Sequence, residues 1–291
     1  MDGVSDHLPL AGLRVVAFES RRAAEIEQML ARYGATVIAA PALREVPIEE
    51  NAAALELVER LESGALDALI LLTGVGTRAL VEAVRARCPT ERLVEMLRTV
   101  PIVARGPKPI AALRALGLTA AVRVPEPNTW RELLETIDRE LPVAGLRVAV
   151  QEYGKANPAL LDGLRARGAT VLRVPVYRWA LPHDVGPLRA AIERIVAHQA
   201  DVAVFTTAVQ VDHLRQVAAE MPAGEDALMA ALRDHVVIAA IGPTAAEALG
   251  EAGIPAAVLP EHPKLGYLVN AIAAQAPGLV AALRERQGAQ R

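Results

Sequence analysis

The chain is written twice. Leu13-Arg14-Val15-Val16-Ala17, followed by a helical stretch to Arg32-Tyr33-Gly34-Ala35-Thr36-Val37, recurs as Leu146-Arg147-Val148-Ala149-Val150 running to Arg167-Gly168-Ala169-Thr170-Val171. Asp67-Ala68-Leu69-Ile70 through Thr73 is echoed 134 positions later by Asp201-Val202-Ala203-Val204 through Thr207. Gly106-Pro107-Lys108, then Ala111-Ala112-Leu113, returns as Gly242-Pro243-Thr244, then Ala246 and Ala248-Leu249. Four landmarks in one order define an internal duplication. A duplicated chain of 291 residues is expected to fold as two similar domains, because single cores tend to split beyond about 250 residues.

Within each copy, short β-branched runs alternate with amphipathic stretches. The first copy predicts strands at 13–18, 36–41, 68–73, 101–106 and 121–125; the second predicts them at 146–151, 170–176, 201–206, 236–241 and 256–260. Between them lie periodic segments such as Ala23–Arg32, with Ile26, Met29 and Leu30 on one face. Near-continuous apolar strands alternating with helices imply parallel sheets covered on both faces. The expected fold class is α/β, two similar doubly wound, flavodoxin-like domains joined by a two-stranded linker. Residues 41–48 and 174–182 are extended, bracketed by prolines and equivalent in the two copies. Proline suits edge or linker strands, so the chain is expected to cross between domains there. The expected limits are 1–41 plus 180–291 for one domain, 48–173 for the other, and 42–47 with 174–179 as linker strands. A division into contiguous halves near residue 142 stays open on this pattern.

Composition excludes several classes. With 53% hydrophobic and 22% charged residues the chain can build a core. No run approaches the roughly 18 apolar residues of a membrane span, and the first 13 residues hold no apolar signal core, so a cytoplasmic protein without membrane contact is expected. The net charge of −3, with interleaved signs, and the 3% aromatic content argue against nucleic acid. Cys88 is the single cysteine, expected at a helix end or buried. Six histidines without ligand spacing give no zinc site, and His213 is expected on a helix surface. No G-x-S-x-G elbow occurs.

Doubly wound sheets bind ligands beyond the carboxyl ends of their strands, where helix N-termini favour carboxylates and phosphates. The residues at those ends are therefore the candidates: Arg21, Thr73, Gly74, Gly76, Arg105, Gly106, Lys108, Gly154, Lys155, Thr206, Thr207, Ala208, Gln210, Gly242, Pro243, Thr244 and Lys264. Thr207 and Thr244 could equally serve as helix caps. Thr73-Gly74-Val75-Gly76 lacks the Lys and Ser/Thr of a nucleotide-binding loop. Glu19, Glu152 and Glu261 close strands and are expected to be capping or ion-paired. Tyr177, in the second crossover, either packs with Trp179 on alternate faces of the linker or projects its phenol into a cleft as a proton donor.

Taken in order and spacing, these elements resemble the uroporphyrinogen-III synthase family over about residues 10–283. The resemblance rests on Thr73-Gly74-Val75-Gly76, Arg105-Gly106-Pro107-Lys108, Tyr153-Gly154-Lys155, Val174-Pro175-Val176-Tyr177-Arg178-Trp179, Phe205-Thr206-Thr207 and Ile241-Gly242-Pro243-Thr244-Ala245-Ala246. It implies a substrate held between two domains: hydroxymethylbilane, which loses its hydroxyl and closes with inversion of ring D to uroporphyrinogen III. It implies no metal and no organic cofactor. By the same resemblance Tyr177 matches the tyrosine that assists loss of the hydroxyl, and Thr207 and Thr244 match hydroxyl positions at the substrate carboxylates. Tyr177 and Thr244 are the expected catalytic pair. A monomer is expected, with a transient contact to hydroxymethylbilane synthase. The sequence departs from the family pattern at Gly74, where many members have Ser, at Glu152-Tyr153-Gly154-Lys155, where many have Arg-Gly and a Gly-Gly-Arg-like loop, and at Ala245, where many have Thr. The alternative is a non-catalytic tetrapyrrole-sensing module of the same family.

Overall fold

The structure is a computed structural model that describes residues 8–48, 51–152, 154 and 156–289. In chain order the elements are β1 (Arg14–Ala17), α1 (Ala23–Arg32), β2 (Thr36–Ala39), β3 (Arg44–Pro47), α2 (Ala52–Glu62), β4 (Ala68–Leu71), α3 (Gly74–Val84) and α4 (Thr90–Leu97). There follow β5 (Ile102–Ala104), α5 (Pro107–Ala115), β6 (Val122–Arg123), α6 (Trp130–Glu140), β7 (Arg147–Glu152), α7 (Pro158–Ala166), β8 (Thr170–Pro175) and β9 (Tyr177–Ala180). The chain ends with α8 (Gly186–Val196), β10 (Val202–Phe205), α9 (Val209–Ala219), α10 (Gly224–His235), β11 (Val237–Ala240), α11 (Pro243–Glu251) and α12 (Leu265–Ala289). Two compact units form, Met1–Arg44 with Leu181–Arg291, and Glu45–Ala180. β3 and β9 pair as a separate two-stranded sheet.

Each of the two large sheets takes strands from both sequence copies. The first unit has the order β11-β10-β1-β2 and the second β6-β5-β4-β7-β8, and the strands within each run parallel. Under the duplication β7, β8, β4 and β5 occupy the places of β1, β2, β10 and β11, so both units have the same strand arrangement. Strand order reverses between β1 and β10 in the first unit, and between β4 and β7 in the second. Those two crevices are the switch points of the sheets.

Strand alternation divides each core in two. In the first unit Val16, Ala203, Phe205 and Ile238 face α8, α9 and α10, while Val15, Val202, Val204 and Val237 face α1 and α12. In the second, Leu69, Leu71 and Ile102 face α2 to α5, while Ile70, Val103 and Val150 face α6 and α7. Strands buried on both faces need apolar residues at every position, which is why β4, β10 and β11 read as unbroken apolar runs.

Two expectations change here. The strand expected at 256–260 is reduced to one bridge, Ala239 to Val258, because Pro255 and Pro260 remove the ladder donors on either side. α12 spans 25 residues, with an 18-residue window of mean hydropathy 1.4, so one segment does have the length and composition of a membrane span. Leu265, Leu268, Val269, Ile272, Ala273, Ala276 and Val280 form one helical stripe that is buried in the first unit's core. It is a helix covering a parallel sheet.

An Arg–Asp clasp recurs at the opposite, amino end of each sheet. Arg14 Nε and Nη2 donate to Asp201 at 2.9 and 3.0 Å, and Arg147 makes the same pair with Asp67 at 2.8 and 2.8 Å. The two differ in burial: the Asp201 side chain is 5% exposed and also accepts from Arg284 at 2.8 Å.

Candidate functional site

In the second unit the sheet's carboxyl end is built around α3 and α5. Thr73 caps α3, its Oγ1 accepting from Gly76 N at 2.9 Å and its carbonyl from Thr77 N at 2.9 Å. That leaves the N–H groups of Gly74 and Val75 without a partner among the described residues, pointing out of the helix start with its partial positive charge. Gly74 permits the neighbouring helix to approach: a Cβ there would lie 2.5 Å from the Lys108 carbonyl oxygen. The two N-termini thus converge. α5 begins Pro107-Lys108-Pro109 after the N-cap Gly106, so two of its first three residues carry no N–H. The exposed ammonium of Lys108 supplies the positive charge that this depleted set of backbone donors cannot. Gly106 is overlain by Asn128, 2.9 Å from where a Cβ would be, and the Asn128 amide donates to the carbonyls of Arg105 and Val124 at 2.8 and 3.0 Å.

Gly74→Ser should therefore destabilise the second unit by about 1–3 kcal/mol through overpacking against α5. Thermal unfolding of the variant checks this, and an unchanged midpoint would show that the helices can separate freely.

Gly76 is a packing residue as well. Its Cβ would lie 2.0 Å from Gln151 Nε2. Gln151 is fully buried, donates to the Glu152 carbonyl at 2.6 Å and faces Thr73 N through Oε1 at 3.4 Å. Gly154, with φ +62°, donates its N–H to the Tyr177 carbonyl at 3.2 Å and lies under the Trp179 indole. Lys155, also a candidate, lies outside the described residues. Tyr177 is 3% exposed and packs in the core cluster with Leu57, Leu71 and Val174. It meets Trp179 edge-on at 5.3 Å. The two aromatics share one face of β9, as residues two apart in a strand must, so the alternate-face packing does not form.

In the first unit the equivalent elements are α9 and α11. Gln210 is fully buried; its Oε1 accepts from Thr206 N and Thr207 N at 2.7 and 3.2 Å, and its Nε2 donates to the Phe18 carbonyl at 2.8 Å. Gln210 stands at the position equivalent to Gly76, so one amide fills the same gap from the helix here and from strand residue Gln151 in the other unit. Its expected contact with substrate is corrected to that of a positioning group, since its amide is spent on the Thr206-Thr207 turn. The Thr206 hydroxyl donates to Glu19. Thr207 is half-buried and Thr244 exposed, and among the described residues no hydrogen bond commits either hydroxyl. Neither caps a helix: the N-caps of α9 and α11 are Ala208 and Gly242. The N–H groups of Ala208 and Val209, and of Thr244 and Ala245, are left over among the described residues. Gly242 (φ 178°, ψ −177°) repeats the geometry of Gly106 (φ 176°, ψ −171°), each followed by proline; Pro263 packs 3.0 Å from where its Cβ would be. Lys264 and Arg21 are exposed at the same end. His213 is buried, not superficial, because the Ala42 carbonyl satisfies its Nδ1 at 2.7 Å. Cys88 is buried, and desolvation raises its pKa.

Of the three strand-closing carboxylates, Glu19 accepts from Arg22 N at 3.1 Å and Glu152 pairs with Arg173 at 3.0 Å. Glu261 is exposed and has no ion-pair partner among the described residues. Among the described residues no group of three His, Cys, Asp or Glu side chains could hold a metal ion.

Duplicated, doubly wound α/β units whose switch-point strands run into helix N-termini with spare N–H groups define a class of protein suited to binding carboxylates or phosphates. The family profile described as uroporphyrinogen-III synthase HemD matches residues 24–270. The chain belongs to the uroporphyrinogen-III synthase family. It is similar to a Methanothermobacter thermautotrophicus protein provisionally named a uroporphyrinogen-III synthase, with 30% identity over 78% of this chain and 95% of that one. It is also similar to the uncharacterized Bacillus subtilis protein YjjA, 28% identical over 91% of this chain and 96% of that protein. Among solved structures, a mutant uroporphyrinogen III synthase of the extremely thermophilic bacterium Thermus thermophilus matches with a TM-score of 0.66 and 27% identity, covering 94% of this chain and all of that one. The Helicobacter pylori enzyme, at 14% identity and a TM-score of 0.53, shares the fold.

Proposed function

We propose that the chain is a uroporphyrinogen-III synthase, converting hydroxymethylbilane to uroporphyrinogen III and water in tetrapyrrole biosynthesis, without a metal or organic cofactor. The observation that carries this is the recurrence, in both units, of strand ends with uncommitted backbone N–H groups beside a hydroxyl or ammonium. The substrate carries eight carboxylates, and such ends bind carboxylates without a global positive field. On this reading Thr73, Gly74, Arg105 and Lys108 take carboxylates in the second unit. Thr207, Ala208, Gly242, Thr244, Arg21 and Lys264 take them in the first, with Thr244 beside the reacting end and Pro243 setting the helix start that presents them. Gly76, Gly106, Gly154, Thr206 and Gln210 hold the backbone that presents these groups.

The chemistry asked of the protein is modest. The bilane hydroxyl leaves as water once it gains a proton, ring D attacks through its substituted carbon, and the spiro intermediate fragments and recloses. Holding the chain in the inverting conformation supplies most of the rate. Tyr177 is proposed to give the proton. Its ring is enclosed in the second unit's core. Tyr177→Phe keeps the packing and should lower kcat by about tenfold while leaving product affinity within about twofold. Unchanged turnover would leave Tyr177 as core.

The sensor alternative draws on Gly74 and Ala245. Both have a packing account: Gly74 admits α5, and Ala245 is 4% exposed in the first unit's core. Neither substitution removes an exposed ligand group, which favours the enzyme. Isomer analysis of the tetrapyrrole formed from hydroxymethylbilane tests the proposal. The cytoplasmic, monomeric state and the contact with hydroxymethylbilane synthase belong to the same proposal.

A further inference from the structure

The carboxylate of Glu152 is half used. Its side chain is 5% exposed, and Oε2 accepts from Arg173 Nε at 3.0 Å. Oε1 is enclosed and meets no hydrogen-bond partner among the described residues. The duplication supplies an internal comparison, because Glu19 follows β1 as Glu152 ends β7. Both Glu19 oxygens are taken, Oε1 by Arg22 N and Oε2 by the Thr206 hydroxyl. The position equivalent to Thr206 in the second unit is Leu72, which is 4% exposed. This unit keeps the carboxylate and lacks the hydroxyl that would saturate it. An enclosed carboxylate oxygen without a donor carries its desolvation penalty uncompensated, so the unfilled position calls for a reason.

The place supplies one. β7 flanks the switch point of its sheet and pairs with β4 with Leu71 beside Gln151, so Glu152 ends its strand at the same carboxyl edge of the sheet as Thr73, Gly74 and Lys108. A substrate carboxylate would be repelled by Glu152. A donor would be attracted, and a tetrapyrrole offers donors in its ring N–H groups. We propose that Glu152 Oε1 accepts a hydrogen bond from a pyrrole N–H of the tetrapyrrole, orienting the ring whose carboxylates dock on Thr73, Gly74 and Lys108. Glu152 is then a positioning residue that reads the ring where the helix N-termini read its side chains. This rests on the tetrapyrrole reading above.

Glu152→Gln tests it. Arg173 holds the amide oxygen, which turns the amide NH2 toward the unfilled position, a donor facing a donor. Two probes are titrated by tryptophan fluorescence under anaerobic, reducing conditions: uroporphyrinogen III, with ring N–H groups and no hydroxyl, and benzenehexacarboxylate, with carboxylates alone. Glu152→Gln should weaken uroporphyrinogen III by about tenfold and leave benzenehexacarboxylate unchanged or tighter. Arg173→Met, which removes the ion pair and keeps the carboxylate, should not reproduce that split. Leu72→Thr, which supplies the missing hydroxyl, should weaken uroporphyrinogen III as Glu152→Gln does, and it carries the test if the Gln variant does not fold. Equal losses for both probes, no loss for either, or the same split in Arg173→Met would overturn the assignment. So would wild-type protein that does not bind uroporphyrinogen III. Wild-type protein that shows the split in its variants but forms no type III isomer would remove the enzyme reading and support the Glu152 assignment.

Discussion

Asp201→Ala should destabilise the first unit by about 2–3 kcal/mol. Asp201 is nearly enclosed and holds the Arg14 guanidinium, the Arg14 backbone N–H at 2.8 Å and Arg284. Removing it strands the Arg14 N–H at the sheet's amino end. The two cations are partly exposed and can rehydrate, which places the loss toward the lower end for buried pairs. Burial opposes ionisation of Asp201, and the hydrogen bonds from Arg14 and Arg284 outweigh it, holding the carboxyl at about 2. A depressed carboxyl contributes stability that is present above its unfolded value near 4 and is lost as pH falls toward 2. With allowance for solvent screening the contribution is on the order of 1–2 kcal/mol. Asp67→Ala removes the more exposed clasp of the other unit and should cost less. Thermal unfolding at pH 7 and pH 3 separates the cases: the Asp201 variant should lie well below wild type at pH 7 and close part of the gap at pH 3. Equal effects of the two alanine substitutions would show that burial does not distinguish the clasps.

Lys108→Ala should raise KM by about tenfold, with Lys108→Arg recovering most of the loss. The reason is the proline pair. The start of α5 offers one backbone N–H among its first three residues, whereas α11, with proline at its first position only, offers Thr244 and Ala245. On the proposed function the equivalent positions Lys108 and Thr244 carry different burdens: ammonium in one unit, backbone and hydroxyl in the other. Thr244→Ala should accordingly cost less than Lys108→Ala. Steady-state kinetics on the two variants check the ranking, and a larger effect at Thr244 would show that the hydroxyl, not the charge, dominates binding.

The sheets were legible because parallel strands buried on both faces must be apolar throughout, and each interior strand lies within two residues of its expected position. The segment at 256–260 failed because an apolar run says nothing of the donors that Pro255 and Pro260 remove. The duplication located the strand ends but not what fills them. Gly74 and Gly76 stand out in the sequence as strand-end binding candidates, yet one admits a neighbouring helix and the other the Gln151 amide, contacts between segments about 34 and 75 residues apart that no local pattern records. Gln151 and Gln210 can be singled out from the sequence, since each is a polar residue where the other copy's counterpart is Phe18 or Gly76. His213 was misplaced because helix periodicity cannot foresee a carbonyl such as that of Ala42 arriving to satisfy a buried ring.

Inversion of ring D by this chain can be measured directly. Hydroxymethylbilane is generated in situ, the protein is added, and the oxidised uroporphyrins are separated by chromatography. Spontaneous closure yields the type I isomer, so an inverting synthase should give a type III excess that grows with protein concentration. Type I alone, from protein shown to be folded by circular dichroism, would contradict it.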